Sequence, residues 1–122
     1  MKLHLTTAEN NHLITGYDKN FVEINKIKYT QNIIVMADKL ILDWQATDFA
    51  SLTEAHFVHI VEYKPEVVLL GTGEKHQFIH PKIVQSLTAQ NIPLECMTTA
   101  AACRTYNFLM SEGRNVAAAL LI

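Results

Sequence analysis

The sequence predicts an α/β domain with a parallel βαβαβ C-terminal half and an N-terminal β-hairpin region. Three observations carry that expectation. From Glu66 onward the apolar pattern alternates strand, helix, strand, helix, strand, and two crossovers of this length imply parallel strands with right-handed connections. EVVLL at 66–70 is a nearly continuous β-branched and Leu run, as a strand buried on both faces requires. Before Trp44, by contrast, the apolar residues come in short runs broken by DKN, NK and ADK, the punctuation of strands joined by tight turns.

In chain order, LITGY, FVEI, IKYT, NIIVM and LILDW read as the N-terminal strands. FVEINKIKY alternates apolar and polar on both sides of Asn25-Lys26, a two-residue hairpin signal. Ser51-x-x-Glu54 offers a capping box for a helix that runs to Tyr63 and stops before Pro65. Its apolar residues do not gather on one face, so the segment 52–63 is a candidate exposed patch for a protein partner or a homodimer contact. After EVVLL, Pro81 opens the helix PKIVQSLTAQ, and Asn91 and Pro93 close it. IPLECM is the next strand, TTAAACRTYNFLMSEGRN the next helix with Gly113 as its stop, and VAAALLI the last strand.

Composition narrows the function. A chain of 122 residues, 49% hydrophobic and 18% charged, has the make-up of one folded domain spanning 1–122. Its formal charge of −2 comes without any basic stripe, which argues against nucleic acid as a partner. The longest apolar runs fall far below the roughly 20 residues that cross a bilayer. The N-terminus MKLHLTTAENNHLI has neither a secretory apolar segment nor an Arg-rich transit pattern, so a cytoplasmic location is expected. Cys96 and Cys103 are not in a CxxC arrangement and read as packing thiols.

The chemistry-bearing residues concentrate after the first two parallel strands. Gly71-Thr72-Gly73 follows one and Thr98-Thr99 the next, and ligands of open α/β sheets gather outside the carboxyl ends of strands. Either Thr98 or Thr99 can cap the helix. An Arg one turn in from a helix start, beside its orphan N–H groups, makes an anion-binding arrangement. The candidate site is therefore Thr72, Gly73, Thr99 and Arg104, with Arg104 supplying charge and the others donors. GTG lacks the third glycine of a dinucleotide fingerprint and the Lys-Ser/Thr of a P-loop, and a turn explains its glycines without any nucleotide. On a helical wheel Ala101, Ala102, Thr105, Tyr106, Phe108 and Leu109 share one arc, predicted to be the core face, with Arg104, Asn107 and Ser111 opposite. Cys103 reads as a buried thiol rather than a nucleophile, because no histidine nearby in sequence identifies itself as its base. Neither His56-x-x-His59 nor His76-xxx-His80 has a local Cys or carboxylate to complete a metal site, so no metal or cofactor is expected.

GTG after a strand, then T-x-x-A-C-R-T-Y-N-x-L-x-x-E-G-R from Thr99 to Arg114 and the closing VAAALLI, resembles the Mth938-like domain family. The resemblance covers nearly the whole chain. It departs at Lys26, where a turn Gly is common, at Met36, where a Pro is common, and at Thr98, where an Asp often stands and would face Arg104. The resemblance implies a three-layer α/β fold with an added β-hairpin region and no established catalytic activity. It further implies a binding or assembly protein that meets respiratory complex I subunits or another membrane complex, with peripheral membrane contact. The alternative is a small-molecule or anion-binding protein, with or without enzyme activity, using the crevice beside the GTG loop and Arg104.

Overall fold

The computed structural model describes residues 11–122. Strands β1 (Ile14–Asp18), β2 (Phe21–Ile24) and β3 (Ile27–Tyr29) form an antiparallel sheet in that order. Strands β4 (Ile33–Met36), β5 (Lys39–Ile41), β6 (Val67–Gly71), β7 (Leu94–Met97) and β8 (Val116–Leu120) form a mixed sheet in the order β5-β4-β8-β6-β7. Helix α1 (Ala55–Val58) runs on into a 3-10 segment, His59–Tyr63; α2 (Gln85–Ala89) follows a 3-10 turn, Pro81–Val84; α3 (Thr99–Ser111) is the long helix.

The two crossovers behave as the sequence requires, since β6 pairs in parallel with both β7 and β8. The β2–β3 hairpin turns on Asn25 and Lys26, both at positive φ (49° and 73°), as a tight two-residue turn of primed type demands even without Gly. Each central strand of the large sheet is apolar on both faces. Ile34, Met36, Val68, Leu70, Ala117 and Ala119 meet α1, its 3-10 extension and α2. Ile33, Val35, Val67, Leu69, Ala118 and Leu120 meet α3 and the inner side of the small sheet. The architecture is therefore three-layered, and the run of alanines in β8 lets covering elements come close on either side.

Two expectations are corrected here. The capping box lies one turn earlier than Ser51-x-x-Glu54: Asp48 caps the 3-10 turn Phe49–Ser51, with Ser51 N–H donating to Asp48 Oδ1 at 2.9 Å. Asp48 is a short, charged acceptor already placed at the first turn, so Ser51 becomes the third residue of that turn and not the cap of the next helix. The segment 52–63 also fails as a broad exposed patch. Leu52, Phe57 and Ile60 are buried, because the shift from α-helical to 3-10 winding rotates residues from more than one side of the wheel toward the sheet. Val58 alone of its large aliphatic residues is exposed (43%).

The ends of β6 and β8 are clamped by Glu66. Its carboxylate accepts Arg114 Nε at 2.6 Å and Asn115 N–H at 3.0 Å, and Glu66 N–H donates to Asn115 O at 2.7 Å. The Asn115 N–H, then the Arg114 guanidinium, hold the Glu66 carboxyl below its ordinary value of 4.5. A folded-state pKa below the unfolded one means the contribution is complete above the unfolded value and is lost as pH falls through the folded one. Urea melts across the acid range should therefore show the advantage of the wild type over Glu66→Gln shrinking as pH drops below the ordinary carboxylate range. A constant gap would refute the clamp.

Candidate functional site

The predicted residues lie where β6 ends and α3 begins, and most of their polar groups are bonded within the fold. Thr72 is buried; its N–H donates to Met97 O at 2.8 Å and its hydroxyl to Lys75 O at 2.6 Å. Gly73 takes φ +95°, the turn conformation that favours glycine. Gly73 N–H donates to Thr99 Oγ1 (2.8 Å), Thr99 N–H returns to Gly73 O (2.9 Å), and the Thr99 hydroxyl donates to Leu121 O (2.6 Å). Thr98, not Thr99, is the helix cap, with its hydroxyl accepting Ala101 N–H at 3.2 Å. These bonds knit the first turn of α3 to the ends of β6 and β8.

A crevice of about 630 Å³ opens beside this knot, toward the β1–β2 turn. Gly73 and Thr99 line it together with Thr98, Lys19, Asp18 and Glu74. Thr72 and Arg104 do not. Arg104 is turned to β1, where its Nη1 donates to Tyr17 Oη at 3.0 Å. The structure thus brings Thr72, Gly73 and Thr99 together, holds Arg104 just behind the crevice on Tyr17, which lines it, and gives the crevice wall mixed charges.

The helix that looked chemically rich is a latch. Tyr106 is fully buried, and its hydroxyl donates to His12 O at 2.7 Å. Asn107 Oδ1 accepts Ile14 N–H (3.0 Å) while its Nδ2 donates to Ile14 O (2.7 Å), so one side-chain amide stands in for a neighbouring strand along the edge of β1. With Arg104 on Tyr17, three polar residues of the motif hold α3 to β1 and to His12 just before it. Sequence reasoning missed this because the partners lie some ninety residues away and nothing local signals them.

The predicted core face of α3 is corrected as well. Ala102, Cys103, Tyr106 and Met110 are buried, Leu109 is half-buried, and Phe108 is exposed (62%). The true arc lies about 90° further round the wheel than the predicted one. Large residues at 108 and 109 pulled the expected face toward them, whereas small Ala102 and Cys103 face the sheet because only they permit its close approach. Cys103 is an inert thiol: burial pushes its pKa up to about 12, against a smaller downward pull from Arg104. Burial likewise raises Cys96, opposed by a hydrogen bond with the Ile79 backbone.

The histidines do not converge. His56 Nδ1 accepts Thr53 N–H at 2.9 Å, His80 Nδ1 accepts Lys82 N–H at 3.1 Å, and His76 rests against Phe78. Among the described residues no three His, Cys, Asp or Glu side chains gather as a metal-binding group.

Residues 14–121 match the family model described as a protein of unknown function (DUF498/DUF598). The chain belongs to this family. It is 34% identical over 89 residues to the mouse NADH dehydrogenase [ubiquinone] 1 alpha subcomplex assembly factor 3, covering 71% of this chain and 48% of that protein. It is 30% identical over 107 residues to the 13 kDa major membrane protein of Francisella tularensis, with 86% of each chain covered. A solution structure of a Mth938-like domain from Bordetella pertussis superposes with a TM-score of 0.77 at 28% identity, over 90% of this chain and 85% of that one. The fold is Mth938-like. The chain spans about half the length of the curated assembly factors it matches.

Proposed function

We propose that this protein is a non-catalytic binding factor that assists assembly of respiratory complex I, working at the cytoplasmic face of the membrane that holds it. The observation that carries the reading is the similarity to assembly factor 3 over 71% of this chain. The membrane-protein name of the Francisella relative fits work at a membrane. No helix among the described residues is long and apolar enough to cross a bilayer.

The site geometry supports binding over turnover. Thr72, Gly73 and Thr99 have their hydroxyls and amides bonded within the fold, the Tyr106 hydroxyl holds His12 and the Asn107 amide holds β1. The rival reading, an anion or small molecule held by Thr72, Gly73, Thr99 and Arg104, would first have to break those bonds. Deleting the gene in a host that makes complex I should lower the assembled complex on native gels while its subunits are still synthesised. Unchanged complex I, or a purified protein whose turnover of a metabolite is abolished by Arg104→Ala, would overturn the proposal.

A further inference from the structure

A groove of about 660 Å³ runs between β5 and the helical segment that carries His56 and Glu62, on the opposite face of the large sheet from α3. Its floor is apolar, made by Ile34, Trp44 and Ile60, all nearly buried. The rim is acidic: Asp43 stands on one wall and Glu62 on the other, and among the described residues no Lys or Arg lines the groove. Glu62 has only a long contact with His59, 3.5 Å between two well-exposed side chains, so its charge is open to a partner. Lys39, at the far end of β5, is drawn over the Tyr63 ring at 5.6 Å and lies outside the lining.

Three further features meet at this groove. β5 is a terminal strand of its sheet. The two-residue turn between Met36 and Lys39 makes those two and the Ile34–Ile41 pair the hydrogen-bonded ones, which turns the N–H and C=O of Leu40 outward. Two exposed large aliphatic residues, Leu42 (46%) and Val58, immediately precede the lining residues Asp43 and His59 in the chain. The walls are also tied to each other. Trp44 Nε1 donates to His56 O at 2.7 Å, and His56, whose Nδ1 accepts Thr53 N–H, presents its other ring nitrogen to Gln45 O at 3.3 Å. Gln45 is held at φ 72°. A groove fixed in this way loses little freedom when it is filled.

We propose that this groove docks an extended segment of a protein partner in which Lys or Arg alternates with apolar residues. The backbone of the segment pairs with Leu40, its apolar side chains cover the floor, and its cations reach Asp43 and Glu62. Strand addition supplies affinity through main-chain bonds and specificity through alternate side chains, and the acidic rim selects the sign of the charge. The inference deepens the assembly reading by naming the surface and the chemistry of the segment it would hold.

The test uses the purified full chain and two blocked peptides, acetyl-Val-Arg-Val-Lys-Val-amide and acetyl-Val-Glu-Val-Asp-Val-amide, followed by amide NMR. The basic peptide should shift Leu40, Leu42, Asp43 and Ala55 at concentrations up to about 1 mM, and the acidic one should not. Binding should weaken as salt rises, and the double variant Asp43→Asn/Glu62→Gln should weaken it about tenfold with an unchanged melting temperature. No shift, equal binding of both peptides, shifts centred elsewhere, or concentration-dependent shifts of the same amides without peptide would each overturn the proposal, the last by showing that a second copy fills the groove. Because the peptides are tested apart from any complex, a failure here leaves the deletion result standing, and the reverse holds too.

Discussion

Replacing Tyr106 by Ala is expected to cost about 3–5 kcal/mol in denaturant melts, the range for truncating a fully buried aromatic. The ring lies at the centre of the cluster that joins α3, the hairpin strands and one face of the large sheet. Its hydroxyl also serves His12 O at 2.7 Å. Tyr106→Phe isolates that bond and should cost about 1–2 kcal/mol, because the ring still fills its space while the carbonyl loses its donor. Phe108→Ala should cost less than about 0.5 kcal/mol, since an exposed side chain gives up little on removal. If Phe108→Ala proved the more damaging of the two alanine variants, the orientation of α3 described above would be wrong.

That contrast marks where the sequence could and could not be read. β6 and β8 were legible because a strand buried on both faces needs a continuous apolar run, and few other arrangements use one. The Asn25-Lys26 turn was legible from alternation on either side of it. The face of α3 was not, because a helix with apolar residues around much of its circumference has no sharp hydrophobic direction. The tie-breaker, the need for small residues against an Ala-rich strand, becomes visible only once β8 is beside it. The helix after Asp48 was misplaced for a related reason: two overlapping capping patterns compete within one turn, and local chemistry alone ranks them poorly.

The candidate site divides in the same way. Strand-end placement of Gly73 and Thr99 follows from topology, which the sequence carried. What their donors do follows from partners such as Leu121 and Met97, which reach the site only through the completed sheet. The direction of Arg104 depended on Tyr17, eighty-seven positions earlier. A motif rich in Thr, Arg, Tyr and Asn looks the same whether its polar groups await a ligand or hold a strand.

Gly71→Ala should be as informative as the Tyr106 series, with a loss of about 3 kcal/mol, the upper end for forcing extra volume into a packed site. In the sequence Gly71 belongs to a GTG loop and reads as a turn residue, but it is the last residue of β6, paired with Met97 on one side and Leu120 on the other. A Cβ there would stand 2.9 Å from Thr99 Cα, 3.0 Å from Thr99 Oγ1 and 3.2 Å from Leu120 Cδ2. Leu120 can yield by rotating; the backbone of Thr99 cannot, because Thr99 is fixed by its bonds to Gly73 and Leu121. Relief therefore requires α3 to lift from the sheet, which loosens those bonds and the packing of Ala102 and Cys103 behind them. Shortening the leucine in the double variant Gly71→Ala/Leu120→Val should then fail to restore stability. Gly73→Ala offers the comparison, because a Cβ at Gly73 meets nothing within 4 Å and only its φ of +95° opposes the change. That strain is on the order of 1 kcal/mol. Equal losses at the two glycines would mean that backbone conformation, and not the contact between strand and helix, is what residue 71 provides; a much larger loss at Gly71 would establish that the helix start is pinned to the sheet.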